Sequence, residues 1–305
     1  MREDVLIEAG ELASDLGATG GPPGDPAAGT PVVLDVRWAL GMTDGADRYR
    51  AGHLPGAVYV DLETELAAPA SPAAGRHPLP SPAAFQEAAR RWGVHQDSHV
   101  VVYDGVGGTS AARAWWLLRY FGLEDVRILD GGLDAWNAAG HALEAGDVTA
   151  EPGDVVVRPG GMPVLDADGA AALAGGDGAL LDARAGERFR GEVEPVDPQA
   201  GHIPGALSAP TTGNLAEDGR FLDDAGLRER FAALGLHTDG AARSDEPGQA
   251  HGVGVYCGSG VTASHEVAAL AATGIVASLF PGSWSQWSND PTREVATGPG
   301  RPVTP

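Results

Sequence analysis

The chain has 305 residues, with 42 acidic and 20 basic side chains and a formal net charge of −22 at neutral pH. All of the basic residues are arginine, which excludes a Schiff-base lysine and the lysine of a Walker A phosphate loop. A chain this acidic binds phosphate backbones and anionic membranes poorly, so we expect neither nucleic acid nor a membrane as a partner.

The sequence also limits the possible redox chemistry and the expected cellular location of the protein. Its one cysteine, Cys257, can form neither an internal disulfide nor a cysteine-rich metal site. Residues 1–12 carry acids where a signal peptide needs an apolar stretch. No uncharged apolar run reaches the roughly 18 residues of a spanning helix. We therefore expect a cytoplasmic protein.

Short apolar runs alternate with helical patterns along the chain. In order they are strands at 31–36 and 100–104, a helix at 110–122, strands at 178–183 and 252–257, and a helix at 262–274. Each helical pattern ends at a glycine, which is typical of a C-terminal cap. Strands alternating with helices predict an α/β fold with parallel sheets covered by helices on both faces. Segments 65–80 and 241–252 are predicted to be mobile loops.

Four motifs occur twice, in the same order and about 150 residues apart, which is far too long for a solenoid repeat. Residues 34–37 recur at 181–184, 52–57 at 201–206, 101–105 at 254–258 and 130–136 at 281–287. This pattern indicates a tandem duplication. We predict one domain over 1–145, a linker over 146–162 and a second domain over 163–305. Asp104 then stands where the second copy has Cys257.

Cys257 ends a predicted strand and is followed at once by a predicted helix, so it lies at the sheet edge where α/β proteins bind ligands. Gly258 and Gly260 permit a tight loop whose backbone N–H groups form an anion nest. Together with the positive end of the helix, such a loop lowers a thiol pKa and favours the reactive thiolate. On these residues alone, an activated cysteine and an inert buried cysteine remain equally open.

The motifs CGSGVTA, GHIPGA, RFRG and PGSWSQW together resemble the tandem-domain rhodanese family of sulfurtransferases, over about 32–287. The CGSGVT loop is similar to the 3-mercaptopyruvate branch, whereas the thiosulfate branch has basic residues directly after the cysteine. The resemblance implies an inactive first domain and ping-pong transfer through a Cys257 persulfide. It implies a small anionic donor, with 3-mercaptopyruvate favoured and thiosulfate as the alternative. A thiol, cyanide or a thioredoxin-like protein would be the acceptor, with no cofactor or metal.

The resemblance also implies the other site residues. The loop residues expected to bind the donor are Gly258, Gly260, Val261 and Thr262. Ser259 matches a serine that works with a histidine and an aspartate of the first domain, matched here by His77 and Asp61. Arg188 matches the arginine that binds the donor's anionic group. Segment 194–197 has no basic residue where mercaptopyruvate enzymes often carry a second arginine, so the carboxylate clamp looks incomplete.

Two alternatives to sulfur transfer come from other classes of protein. A phosphatase on the same loop needs an arginine six positions after the cysteine, where Ala263 stands. A non-catalytic sulfur-carrier or binding module stays open. His53 and His202 are expected to be structural, and the tryptophans at 115, 116, 136, 284 and 287 are expected in the core or the domain interface.

Overall fold

A computed structural model describes residues 1–18, 29–236 and 252–300. The elements of the first half are β1 (Leu6–Ile7), α1 (Ala9–Ala18), β2 (Val32–Asp35), α2 (Gly45–Ala51), β3 (Val58–Tyr59), α3 (Leu62–Glu65), α4 (Pro82–Arg91), β4 (Val100–Tyr103), α5 (Ala111–Tyr120), β5 (Val126–Leu129) and α6 (Gly132–Ala138). Those of the second half are α7 (Ala167–Gly175), β6 (Ala179–Asp182), α8 (Gly186–Phe189), β7 (Leu207–Ser208), α9 (Asp224–Ala233), β8 (Val253–Tyr256), α10 (Val261–Ala272), β9 (Ala277–Leu279) and α11 (Ser283–Trp287).

Each half builds its own parallel sheet. The first has the strand order β1-β5-β4-β2-β3 and the second the order β7-β6-β8-β9. Strands β2, β4 and β6 are buried along their whole length, as their runs of apolar residues predict for sheets covered on both faces. The predicted α/β class, with two parallel sheets flanked by helices, is confirmed.

The repeated Asp-x-Arg motif makes the same contacts in both halves. The guanidinium of Arg37 donates to the carboxylate of Asp35 at 2.6 Å and to the backbone carbonyl of Gly52 at 3.1 Å. In the second half Arg184 makes both bonds at the equivalent positions, each at 2.6 Å. The buried guanidinium thus ties the end of a sheet strand to the start of the other repeated motif. These bonds explain why both motifs recur.

The two repeated histidines pack inside the fold. The Nδ1 atoms of His53 and His202 lie 2.9 and 2.8 Å from the backbone carbonyls of Tyr49 and Phe189, whose rings stack on them. Both histidines are buried, which agrees with the structural role expected for them. The tryptophans expected in the core or interface are buried as well, at positions 115, 116, 136, 284 and 287.

The two halves share one continuous apolar core, because α5 of the first packs on α10 of the second. Segment 65–80 is a loop apart from its first residue, which ends α3. It is docked rather than loose: His77 is buried, and the backbone N–H of Arg76 donates to Ser285 Oγ at 3.0 Å. The loop expected at 241–252 falls, except for its last residue, outside the described residues.

Residues 139–166, between α6 and α7, form no helix or regular strand, which suits a connecting segment. Within it Val155 is buried and its N–H bonds to the carbonyl of Val94 in the first half. The domain boundaries 1–145, 146–162 and 163–305 stay a prediction. No helix among the described residues combines the length and the apolar character that a membrane crossing requires.

Candidate active site

The cysteine lies in a tight loop between a strand and a helix. Cys257 directly follows β8, and its side chain is 1% exposed. The backbone N–H of Gly260 donates to its Sγ at 3.1 Å. Gly260 has a φ of 81°, and a Cβ there would lie 2.6 Å from the carbonyl oxygen of Pro281, so this position requires glycine. The loop therefore holds a backbone donor against the sulfur.

Helix α10 begins directly after this loop. Val261 and Thr262 form its first turn, where the N–H groups have no helical carbonyl to bond. The positive end of the helix dipole consequently lies next to the cysteine loop. A donor hydrogen bond and a helix N-terminus both favour a negatively charged sulfur, whether thiolate or persulfide.

A second turn supports the cysteine loop from behind. The N–H of Cys257 donates to Ser283 Oγ at 3.2 Å. The N–H groups of Trp284 and Ser285 donate to the carbonyls of Cys257 and Gly258, each at 2.9 Å. Ser283 has a φ of 52°, the one positive value among the described non-glycine residues. The PGSWSQW motif thus fixes the backbone of the loop, and its Ser283 adopts a strained backbone conformation.

The equivalent loop of the first half is filled by its own carboxylate. One oxygen of Asp104 accepts the N–H groups of Val106 and Gly108, both at 2.8 Å. The other accepts those of Ser110 and Ala111, at 2.8 and 2.9 Å. Asp104 is fully buried. The loop therefore forms an anion nest in this half too, but the carboxyl group of Asp104 occupies it.

The first domain contributes a histidine to the site. The Nδ1 of His77 lies 2.7 Å from Ser259 Oγ, and its Nε2 lies 3.2 Å from the carboxylate of Glu63. The structure brings together Ser259 and His77, as expected, but not Asp61. The carboxylate of Asp61 instead accepts the N–H groups of Glu63 and Thr64, as the N-cap of α3. Glu63, two residues further on, takes the place expected for Asp61.

Glu63 is held in place by an indole. The Nε1 of Trp38 donates to its carboxylate at 2.8 Å, and the Trp38 ring also packs edge-on against His77. Because a carboxylate only accepts, Nε2 of His77 carries the proton and Nδ1 is left to accept the Ser259 hydroxyl. Burial lowers the pKa of His77 below its ordinary 6.5, against the opposing effect of Glu63. The ring is therefore neutral at pH 7.

A buried arginine joins the two domains at this point. Arg113 of α5 is fully buried and donates to the carbonyls of Leu66, His77 and Gly260, at 3.2, 2.9 and 3.4 Å. Its hydrogen bonds to the described residues go to backbone carbonyls. Burial lowers its pKa to about 10, and the nearby Cys257 raises it. Arg113 is thus a cation at pH 7 that positions both the histidine loop and the cysteine loop.

Arg188 lies next to the loop, as expected. Its Nη1 would be 3.5 Å from a Cβ placed at Gly258. Its Nη2 donates to Glu194 at 2.6 Å and to Asp197 at 3.2 Å. A second guanidinium, that of Arg76, also borders Gly258 and forms an ion pair with Asp197. Two arginines and two acids therefore flank the residue that follows the cysteine.

Sequence reasoning missed Glu63, Arg76 and Arg113. Glu63 lies two residues after Asp61, and Arg76 lies one residue before His77. Motifs extended by one or two residues at these positions would have included both. Arg113 interrupts an otherwise apolar stretch of α5, which is a weak signal of a buried charge. No group of three or more histidine, cysteine, aspartate or glutamate side chains placed to hold a metal occurs in ranges 1–18, 29–236 and 252–300.

Comparison with known proteins matches residues 25–139 and 166–290 to the rhodanese-like domain. The Mycobacterium tuberculosis protein named "Putative thiosulfate sulfurtransferase SseB" is 48% identical over 300 residues, which is 97% of this chain and 98% of that protein. The Pseudomonas aeruginosa protein named "Probable 3-mercaptopyruvate sulfurtransferase" is 49% identical over 274 residues, covering 88% and 92%.

The same relationship holds in three dimensions. The crystal structure of SseA from Escherichia coli, described as a 3-mercaptopyruvate sulfotransferase with the rhodanese fold, matches with a TM-score of 0.75 and 35% identity. The match covers 92% of this chain and 98% of that one. Two such domains in tandem define a double-sheet α/β protein with one cysteine loop. The chain belongs to the rhodanese family, and it is a sulfurtransferase.

Proposed function

We propose that Cys257 accepts a sulfane sulfur from a small anionic donor as a persulfide and passes it to a thiol, cyanide or thioredoxin-like acceptor. The observation that carries this proposal is the Gly260 N–H donated to Sγ, in a loop at the N-terminus of α10. Relatives of nearly equal identity are named for different donors, so they do not select one. The uncharged CGSGVT loop favours 3-mercaptopyruvate, with thiosulfate as the alternative.

The first half-reaction attaches sulfur to the cysteine. The Cys257 thiolate attacks the donor sulfur, a new S–S bond forms and the C–S bond of 3-mercaptopyruvate breaks. The electron pair of that bond stays on the carbon as the enolate of pyruvate, which takes up the proton that the donor thiol loses. The products are pyruvate and the Cys257 persulfide anion. The Gly260 N–H and the helix end stabilise the charge on sulfur before and after transfer.

Ser259 and His77 suit the proton transfer of this step. The neutral His77 ring accepts the Ser259 hydroxyl through Nδ1, so it can take a proton through Ser259 and return it. Glu63 on Nε2 orients the ring and stabilises its protonated form. In the second half-reaction cyanide or a thiol attacks the outer persulfide sulfur, and the Cys257 thiolate leaves. The cytoplasmic location and the identity of the acceptor stay predictions.

Donor preference tests the proposal. With cyanide as acceptor, thiocyanate formation from 3-mercaptopyruvate and from thiosulfate is compared side by side. We expect kcat/KM for 3-mercaptopyruvate to exceed that for thiosulfate by about tenfold or more, since pocket contacts alone give discrimination of this order. A preference for thiosulfate would contradict the donor assignment. If neither donor places sulfur on Cys257, the proposed persulfide route is wrong.

The pH profile separates Glu63 from Asp61. Protonating His77 removes its ability to accept from Ser259, so donor turnover should fall as pH drops through the lowered pKa of His77, below 6.5. Glu63 raises that pKa. Glu63→Gln should therefore move the acidic limb of the profile to lower pH. The measurement is donor turnover against pH, together with the NMR titration of the His77 ring.

Asp61→Asn is the matched control. Asparagine caps helices as well as aspartate, so α3 should stay intact and the acidic limb should stay where it is. The assignment of Glu63 fails if Asp61→Asn moves the His77 titration and Glu63→Gln does not.

A further inference from the structure

A buried carboxyl group lies in the second half, outside the proposed site. Glu266 of α10 is fully buried. Its Oε2 accepts the side-chain N–H of Asn214 at 2.6 Å, whereas its Oε1 has no hydrogen-bond partner among the described residues. Ionisation would leave a charged oxygen shielded from water and without a donor. Such an environment favours the neutral acid over the carboxylate.

One cation lies near this carboxyl group, but its hydrogen bonds go elsewhere. The Nη2 of Arg230, in α9, lies 4.0 Å from Oε1 of Glu266 and donates to the carbonyl of Pro210 at 2.7 Å. Its Nε donates to Oδ1 of Asn214, also at 2.7 Å. Arg230 therefore attracts a carboxylate without bonding to it. Burial raises the pKa of Glu266 to about 7, against the opposing effects of Arg230 and Asn214.

The other charged groups around α10 are directed away from Glu266. The helix packs on α5, α9, β8, β9, the turn Thr211–Asn214 and the N-terminal turn Arg2–Asp4. Strands β8 and β9 carry no charged side chain. Arg113 and Arg119 of α5 donate to backbone carbonyls, and Arg2 donates to Asp130. The acids and the remaining arginine of α9 and of the N-terminal turn lie at the surface.

The residue before Glu266 connects this cluster to the first half. The Nε2 of His265 lies 3.1 Å from the carbonyl oxygen of Gly107, and its Nδ1 lies 2.6 Å from Thr211 Oγ1. Because a carbonyl only accepts, Nε2 carries the proton and Nδ1 accepts the Thr211 hydroxyl. Burial lowers the pKa of His265 to about 4, so the ring is neutral at pH 7. Asn214, which bonds Glu266, also donates to Thr211 Oγ1 at 3.3 Å. A chain of hydrogen bonds thus runs from Glu266 to the first half.

We propose that Glu266 is a proton-binding residue of the domain interface, held as a neutral acid in the folded protein at mildly acidic pH, and that its ionisation at higher pH weakens the hydrogen-bond chain to the first half. The carboxylate draws Arg230 from the carbonyl of Pro210 toward Oε1, because a bond between charged groups is stronger than a bond to a neutral carbonyl. This movement displaces the turn Thr211–Asn214, which holds His265. The inference goes beyond sulfur transfer and does not depend on it.

The pH dependence of unfolding tests this proposal. The unfolded chain ionises Glu266 near its ordinary pKa of 4.5, so folding takes up a proton between that pH and the raised pKa. The stability that the neutral acid contributes is complete below pH 4.5 and is lost as the pH rises to about 7. The unfolding equilibrium constant of the wild type, divided by that of Glu266→Gln, should therefore rise by at least about tenfold from about pH 5 to about pH 8. Urea unfolding at both pH values gives this ratio, in which any pH-independent effect of the amide cancels.

Two further variants and one local measurement complete the test. Glu229→Gln is the matched control, because it removes the same charge from an exposed position of α9 beside Arg230, and it should leave the ratio constant. Glu266→Met, a second neutral side chain of similar length, should reproduce Glu266→Gln. Amide hydrogen exchange reports on the contact between the halves. At about pH 8 the N–H groups of residues 107–110 should exchange faster in the wild type than in Glu266→Gln, and at about pH 5 they should exchange equally.

Several results would contradict the inference. Equal pH dependence in the wild type and Glu266→Gln overturns it, as does an equal change in Glu229→Gln, which would assign the effect to net charge. Failure of both neutral variants to fold at about pH 5 also overturns it, because the folded protein is proposed to hold a neutral side chain there. If the unfolding ratio rises but exchange at 107–110 stays equal, the link from Glu266 to the first half is wrong.

Discussion

Replacing Cys257 by serine should lower the rate of sulfur transfer by about a thousandfold or more. A serine hydroxyl stays protonated at pH 7 and forms no persulfide, and the chain has no other cysteine to take over. The Gly260 N–H and the end of α10 would still be present, but they would have no sulfur anion to stabilise.

Thiocyanate formation and the mass of the protein after donor treatment are the measurements. Wild-type protein treated with donor, without acceptor, should gain one sulfur atom on the peptide that contains Cys257. The serine variant should gain none. Because serine nearly matches cysteine in size, its unfolding midpoint should stay close to that of the wild type. Turnover retained by the serine variant would rule out the persulfide route.

Asp104→Ala should destabilise the protein by about 3 kcal/mol or more, although it lies outside the proposed site. Burial raises the pKa of the Asp104 carboxyl, and the four backbone N–H donors oppose that rise. Removing the carboxylate leaves four buried donors without their acceptor. Each unsatisfied donor costs about 1–3 kcal/mol, with partial relief where water enters.

Urea unfolding measures this loss, with Asp223→Ala as the control. Asp223 caps α9 through one N–H, that of Gly226, so its loss should cost only about 1 kcal/mol. Similar losses for the two variants would show that the four bonds to Asp104 do not act together.

Local patterns were sufficient to predict the cysteine loop. The strand before Cys257, the glycines after it and the helix that follows are all contiguous, and the structure has β8, a left-handed Gly260 and α10 in that order. The duplication could be predicted from the sequence as well. The same guanidinium bonds form in both halves, and they require the Asp-x-Arg motif in each.

The contributions of the first domain were harder to predict, since they depend on how the domains dock. Asp61 and Glu63 are two residues apart in sequence, and only the start of α3 decides which carboxylate caps the helix and which meets His77. Arg76 looks like an ordinary loop arginine until Ser285 and Asp197 of the other domain hold it. The apolar stretch around Arg113 in α5 indicates a buried charge, but it does not show which two loops the guanidinium contacts.

The docked loop at 65–80 also affects what happens when one half of the chain is exchanged for that of a relative. The copy that has Asp104 at the cysteine position still places His77 and Arg76 beside the cysteine loop of the other copy. A recombination event that exchanged the first half for that of a distant relative would keep Cys257 and its loop, yet replace the groups that surround the incoming donor. The two halves are therefore not interchangeable cassettes, because the half without the cysteine supplies side chains that lie beside the cysteine loop of the other half.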